Sequence, residues 1–201
     1  MHKRIIFCCL LVILSLLTIR FWNQNKDPLE PSSTMNGLKL EISALRNKVS
    51  PTDDIQIEYK LVNTDKGYVT IFSLFYPLDF VSPNLPQNQI TFLIKSPDAN
   101  VCKYSGNPYY PKFAYQSICK FISLGSSSFY GGTISLKKGD FAYSISAKGK
   151  YKIQAIYKTD ARDWLSSHLA KMGLTEKEIP FSLQRVFNGT LVSNEIEIEV
   201  N

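Results

Sequence analysis

His168 is the residue of this chain best placed, by type, to do acid–base chemistry. The chain has 201 residues and two histidines, and the other, His2, stands near the N-terminus. No paired-histidine chemistry and no His-rich metal site can be built from that stock. Imidazole is the commonest general base, and Asp163 and Ser167 are its sequence neighbours. A Ser-His-Asp triad, however, unites groups from separated elements, and the chain has no G-x-S-x-G elbow. A packing or surface role is therefore expected for His168. Asp53 and Asp54 follow Pro51 and read as a turn rather than a cation site. No EF-hand loop, H-E-x-x-H, phosphate-binding loop or G-x-G-x-x-G accompanies them. The expectation is a protein that is not an enzyme, with no metal and no cofactor.

The cysteines carry the next chemistry. Cys8 and Cys9 lie in an apolar N-terminal run and read as membrane residues, since no small residue before them suits lipidation. Cys102 and Cys119 bracket KYSGNPYYPKFAYQSI. In an exported, oxidising setting they are expected to bridge, closing a loop for about 3 kcal/mol. Two free thiols remain the alternative; a redox pair lacks its C-x-x-C spacing. Tyr104, Tyr109, Tyr110, Phe113 and Tyr115 cluster around Pro108 and Pro111 between them. These rings form a candidate contact surface, or else cap one end of the fold. Asn188-Gly189-Thr190 matches a glycosylation acceptor but more simply marks a turn.

Lys3 and Arg4 precede the run IIFCCLLVILSLLTI, Ile5 to Ile19. A basic head and an apolar body make a secretory signal. The run spans ~22 Å, short of a ~30 Å hydrocarbon core, but Arg20, Phe21 and Trp22 extend it to the lower edge of a spanning helix. No small-x-small cleavage site follows, so residues 1–22 read as a retained signal anchor, with a cleaved signal peptide as alternative. The membrane contact is expected through residues 5–22, with the rest outside the cytoplasm, periplasmic or extracellular; after cleavage it would be secreted. Residues 23–36, polar with Pro28 and Pro31, read as a linker.

The net charge is +6, but it is dispersed. Residues 37–158 are basic and residues 159–201 acidic, and lysines are scattered along the chain rather than clustered with arginines. No nucleic-acid partner is expected. Another envelope protein is the expected partner.

From Leu38 the apolar period is two. Strands are expected at 38–44, 55–61, 68–75, 90–95, 117–124, 130–136, 150–157 and 194–200, with turn residues between them. Lys148, Lys150 and Lys152 share one face of a late strand, and Glu195, Glu197 and Glu199 one face of the last. Paired neighbours would form a solvent-side Lys/Glu ladder. Residues 160–178 break the pattern: Trp164, Leu165, His168, Leu169 and Met172 lie at helical spacing, with Gly173 as a stop.

DIQIEYKLVN (54–63) resembles the second strand of bacterial exported immunoglobulin-like domains. GKYKIQAIY (149–157) resembles their late strand, and GTLVSNEIEIEV (189–200) their closing strand. The arrangement is also similar to the β-domain preceding the catalytic domain of deuterolysin-like metalloendopeptidases. The resemblance spans about residues 38–200, and without H-E-x-x-H no peptidase activity carries over. It implies an all-β, immunoglobulin-like antiparallel β-sandwich over residues 37–201, with one helical insertion at 160–178 and an N-terminal transmembrane or signal helix before it. The expected function is non-enzymatic binding or scaffolding at the cell envelope, through the 103–115 loop, Trp164 and His168. The alternatives are an inhibitor or accessory factor of an envelope protease, and a small-molecule or lipid carrier.

Overall fold

The computed structural model describes residues 34–35, 37–73, 86–106, 121–175 and 185–201. The N-terminal segment 1–22 lies outside these residues, as do Cys119, Tyr109, Tyr110, Phe113 and Tyr115. Ten strands, a single turn of 3-10 helix and one α-helix are described. The strands are β1 (Thr34–Met35), β2 (Leu38–Ala44), β3 (Lys48–Val49), β4 (Gln56–Asn63), β5 (Val69–Phe72), β6 (Asn88–Lys95), β7 (Phe121–Leu124), β8 (Phe129–Ser135), β9 (Gly149–Thr159) and β10 (Gly189–Val200). Helix α1 is Ala161–Lys171. The chain is thus predominantly β, as its alternating pattern predicts.

The strands form two four-stranded sheets, in the orders β1-β2-β4-β8 and β3-β10-β9-β6, and a small β5-β7 pair. Every pairing is antiparallel except β3 with β10, which is parallel. Alternate residues of each large sheet point into one shared core. Leu38, Leu40, Ile57 and Leu61 from one side, and Ile94, Tyr151, Ile153, Tyr157 and Ile198 from the other, are all almost wholly buried. That alternation follows from the two-residue repeat of a strand.

Several boundaries differ from the sequence expectation. The end of the expected linker, Thr34–Met35, forms β1 and pairs with β2 (Met35 with Leu38). The hairpin turns on Gly37 at φ +74°, where a Cβ would lie 2.5 Å from that of Asp65. Strand β10 starts at Gly189 rather than 194. A register shift between Val192 and Glu195 interrupts the alternation there. Such a bulge leaves polar residues in mid-strand. Here they are used: the Ser193 hydroxyl accepts the Ala155 N–H at 2.8 Å. The Asn194 side chain crosses to the other sheet, accepting from Ile42 N and donating to Ile42 O, each at 2.9 Å.

The expected Lys/Glu ladder is present. β9 and β10 pair with Glu197 opposite Lys152 and Glu199 opposite Lys150. The ion pairs run diagonally, Lys150 to Glu197 at 2.8 Å and Lys152 to Glu195 at 3.2 Å. Strand twist brings such diagonal neighbours together. Lys48 of β3 completes the series on Glu199 at 2.9 Å. Glu197 accordingly holds the Lys150 ammonium above its usual range, and Lys48 draws the Glu199 carboxyl below its own.

Candidate interaction surfaces

Helix α1 follows β9 and is pinned at its start. Asp160 accepts the Gln87 N–H at 2.6 Å and returns its own N–H to Gln87 O at 3.0 Å. Half-burial pushes the Asp160 carboxyl up despite that bond. The helix ends at Lys171, and Gly173 takes the left-handed conformation at φ +70°, the expected stop. The described turn of 172–175 replaces the last residues of the longer helix expected over 160–178; residues 176–178 lie outside the described set.

The buried stripe is also rotated from the expected one. Ala161, Leu165 and Leu169, four apart, are the buried residues and pack with Phe72 and Val186 into a satellite core. Ala161 brings the helix start close, and that sets the phase. Met172, expected inward, is 54% exposed. Trp164 and His168 lie on the shoulder, half-buried, stacked at 4.8 Å and 15°. Trp164 of this stack also packs against the satellite core.

Beside this helix lies a cleft of about 450 Å³. Val69, Val186 and Phe187 supply buried apolar walls, and Arg162 and Arg185 line it with guanidinium groups. Arg185 is held in place from three sides. Its guanidinium sits 5.3 Å from the Tyr68 ring centroid, its Nη1 is 3.9 Å from Asp65 Oδ2, and Gly67 leaves room beneath it. At the far wall Asn188 donates to Asp163 at 3.0 Å. The nitrogen that a glycan would need is therefore engaged, and Asn188 stands directly before β10, which opens at Gly189 without a turn. Sequence reasoning missed both arginines. They stand far apart in the chain, and neither belongs to a charge cluster.

Of the expected Tyr-rich surface, Tyr104 is described, and it is drawn into the fold. Its hydroxyl donates to Asp140 O at 2.5 Å, and its ring meets that of Tyr143 edge-on at 5.6 Å. Cys102 is a half-buried free thiol packed against the main core, so the expected Cys102–Cys119 bridge has no described counterpart. Burial, and then the charge of Asp98, raise the Cys102 thiol, which opposes thiolate chemistry. Asp53 and Asp54 serve local structure. Asp53 accepts from Ser50 N at 3.2 Å, and Asp54 from the Ser135 hydroxyl at 2.7 Å. Among the described residues no cluster of His, Cys, Asp and Glu could hold a metal, and no helix is long and apolar enough to cross a membrane.

Two further surfaces are the outer edges of the large sheets. The β6 edge is occupied. Phe92 N–H donates to the Tyr143 hydroxyl at 2.8 Å, and Ile94 O accepts from Cys102 N–H at 2.8 Å. The β8 edge has no partner strand among the described residues.

No protein-family model matches the chain, and no curated protein is detectably similar to it.

Proposed function

We propose that this chain is an exported, membrane-anchored binding module of immunoglobulin-like architecture, which holds a protein partner through the shoulder of α1. Several observations support the architecture. In the immunoglobulin fold two antiparallel sheets pack over a shared core, and the last two strands lie together in one of them. Here β2 and β3 divide between the sheets, β3 runs parallel to β10, and β10-β9-β6 face β2-β4-β8. The basic head and apolar run of residues 3–19 support an anchor.

Two observations carry the binding role: the Trp164–His168 stack on one shoulder of α1, and a cleft bearing Arg162 and Arg185 on the other. Trp and Arg dominate the energetics of protein interfaces. Arg185 has Tyr68 and Asp65 beside it and Trp164 is packed on the satellite core, which lowers the ordering entropy lost on binding. The partner expected for this surface is an envelope protein presenting a carboxylate next to an apolar side chain. Inhibition of an envelope protease would be one use of the same surface. A lipid-carrier role has less support, because side chains such as Leu40, Leu61, Ile94 and Tyr157 fill the space between the sheets.

The test is a photo-crosslinking amino acid at exposed Ser166 in the full chain, expressed in intact cells. One discrete adduct is expected, which weakens at least tenfold with the double variant Trp164→Ala, Arg162→Ala. An adduct indifferent to that variant, or no adduct, refutes the binding surface.

A further inference from the structure

The hydrogen-bond parity of β8 is fixed at both of its ends. Asn63 N–H donates to Ser128 O at 2.9 Å, and Leu136 N–H to Ile55 O at 2.9 Å. These residues continue the β4–β8 register, in which Gln56 lies opposite Ser135 and Val62 opposite Phe129. In an antiparallel pair the directly bonded positions alternate. Tyr130, Gly132 and Ile134 therefore direct their backbone groups to β4. Phe129, Gly131, Thr133 and Ser135 direct theirs outward, and no strand meets them among the described residues.

Natural edges are blunted by charge, proline, bulges or a covering segment. β8 has no charged residue and no proline, and the run from Phe121 to Leu136 is uncharged throughout. Its pairing with β4 is unbroken by a bulge. Phe129 is 60% exposed, and Gly131, Gly132 and Thr133 are exposed with it.

We infer that two copies of this chain pair antiparallel along β8, joining two four-stranded sheets into one continuous sheet. Centred on Gly132, the pairing sets Phe129 against Ser135 and Gly131 against Thr133 of the other copy. Outward-facing positions meet only outward-facing positions, and about eight hydrogen bonds form. Charge selects a second copy over a foreign strand. Beside the edge, Lys60 is matched with Glu58 at 3.8 Å, so the surface offers no net charge to recruit a charged strand. Beyond β8 come Lys137 and Lys138. Antiparallel self-pairing lays them beside Ser127 and Ser126 of the other copy, whereas a parallel arrangement would stack lysine on lysine. A two-fold axis also closes the assembly at two copies, since each β8 edge is consumed. This inference is independent of the α1 surface.

The test uses the full chain in mild detergent, by sedimentation and by amide hydrogen exchange. A dimer is expected at about 100 µM. In it, Phe129, Gly131 and Thr133 amides are protected along with Tyr130, Gly132 and Ile134; on dilution only the first set becomes labile. Thr133→Lys, at an exposed position, is expected to weaken dimerisation at least tenfold while leaving the melting transition in place. Phe129→Lys is the second variant, should the first disturb folding. A monomer at that concentration overturns the inference. So does a dimer indifferent to both variants, which would place the contact elsewhere, or protection of the second set alone.

Discussion

The two outermost strands of the large sheets, β6 and β8, have similar length and opposite treatment. β6 has its outward N–H at Phe92 and its outward carbonyl at Ile94 taken up by Tyr143 and Cys102. β2 is treated likewise, since its outward groups at Ile42 are claimed by Asn194. β3 is only two residues long. Among the described residues, β6 and the part of β2 beyond its pairing with β1 are thus capped by side chain or loop, β1 and β3 are two residues long, and β8 is neither capped nor short. Stability does not explain the difference, because an exposed edge can hydrogen-bond to water at little net cost. Among the described residues, β8 is the neutral and exposed edge, which is what the proposed self-pairing requires.

Substitutions can break each side of that comparison. The largest effect is expected at the base of β8. A Cβ on Gly131 would lie 2.1 Å from Tyr59 O, so Gly131→Ala forces the strand off β4. A loss of about 3 kcal/mol is expected in urea unfolding, together with loss of any β8-mediated dimer. Opening the closed edge comes next. Tyr143→Phe strands the buried Phe92 N–H and is expected to cost about 2 kcal/mol. If it costs nothing, β6 is not closed by this bond.

The same hydroxyl makes a pH prediction. Burial pushes Tyr143 and Tyr59 up to about 12 from the usual 10.0. A pKa raised on folding means that the native state holds the proton more tightly. The stabilisation is whole below pH 10 and is lost as pH rises through 12. Alkaline unfolding should begin in that window, with a shallower pH dependence for Tyr143→Phe. Asn194→Ala, which frees Ile42, is expected to cost about 1.5 kcal/mol by thermal melting. Smallest of all is Lys150→Ala. It removes an exposed rung of the ladder, and its change in melting temperature should fall below all the others and vanish in molar salt.

What could be read in advance divides along the same line. Strand positions were legible because burial on one side writes an alternating pattern into residues 38–63 and 149–157. The ladder was legible because like charges at every second residue need an opposite neighbour, and the last two strands supplied it. The first half of β10 was hidden by Ser193 and Asn194, polar residues whose partners Ala155 and Ile42 lie far off in sequence. The phase of α1 was misread because Ala161, the smallest member of the stripe, carries little hydrophobic signal and Trp164 carries too much. Edge closure left no local trace at all. Nothing near Phe92 announces that Tyr143 will cap it. The open edge did leave one, the uncharged run from Phe121 to Leu136 with its two adjacent glycines. The arginine cleft, assembled from Arg162, Arg185 and the turn at Asp65, had none.

The Asn194 clamp has a kinetic meaning. It fastens Ile42 to a residue 152 positions later, and the strand that carries it fills the middle of its sheet, between β3 and β9. Contacts so distant in sequence slow folding. Until Gly189–Val200 is in place, β9 has only β6 beside it and the first strands lack their link to the second sheet. A chain of this design closes its two sheets together only when β10 docks between β3 and β9.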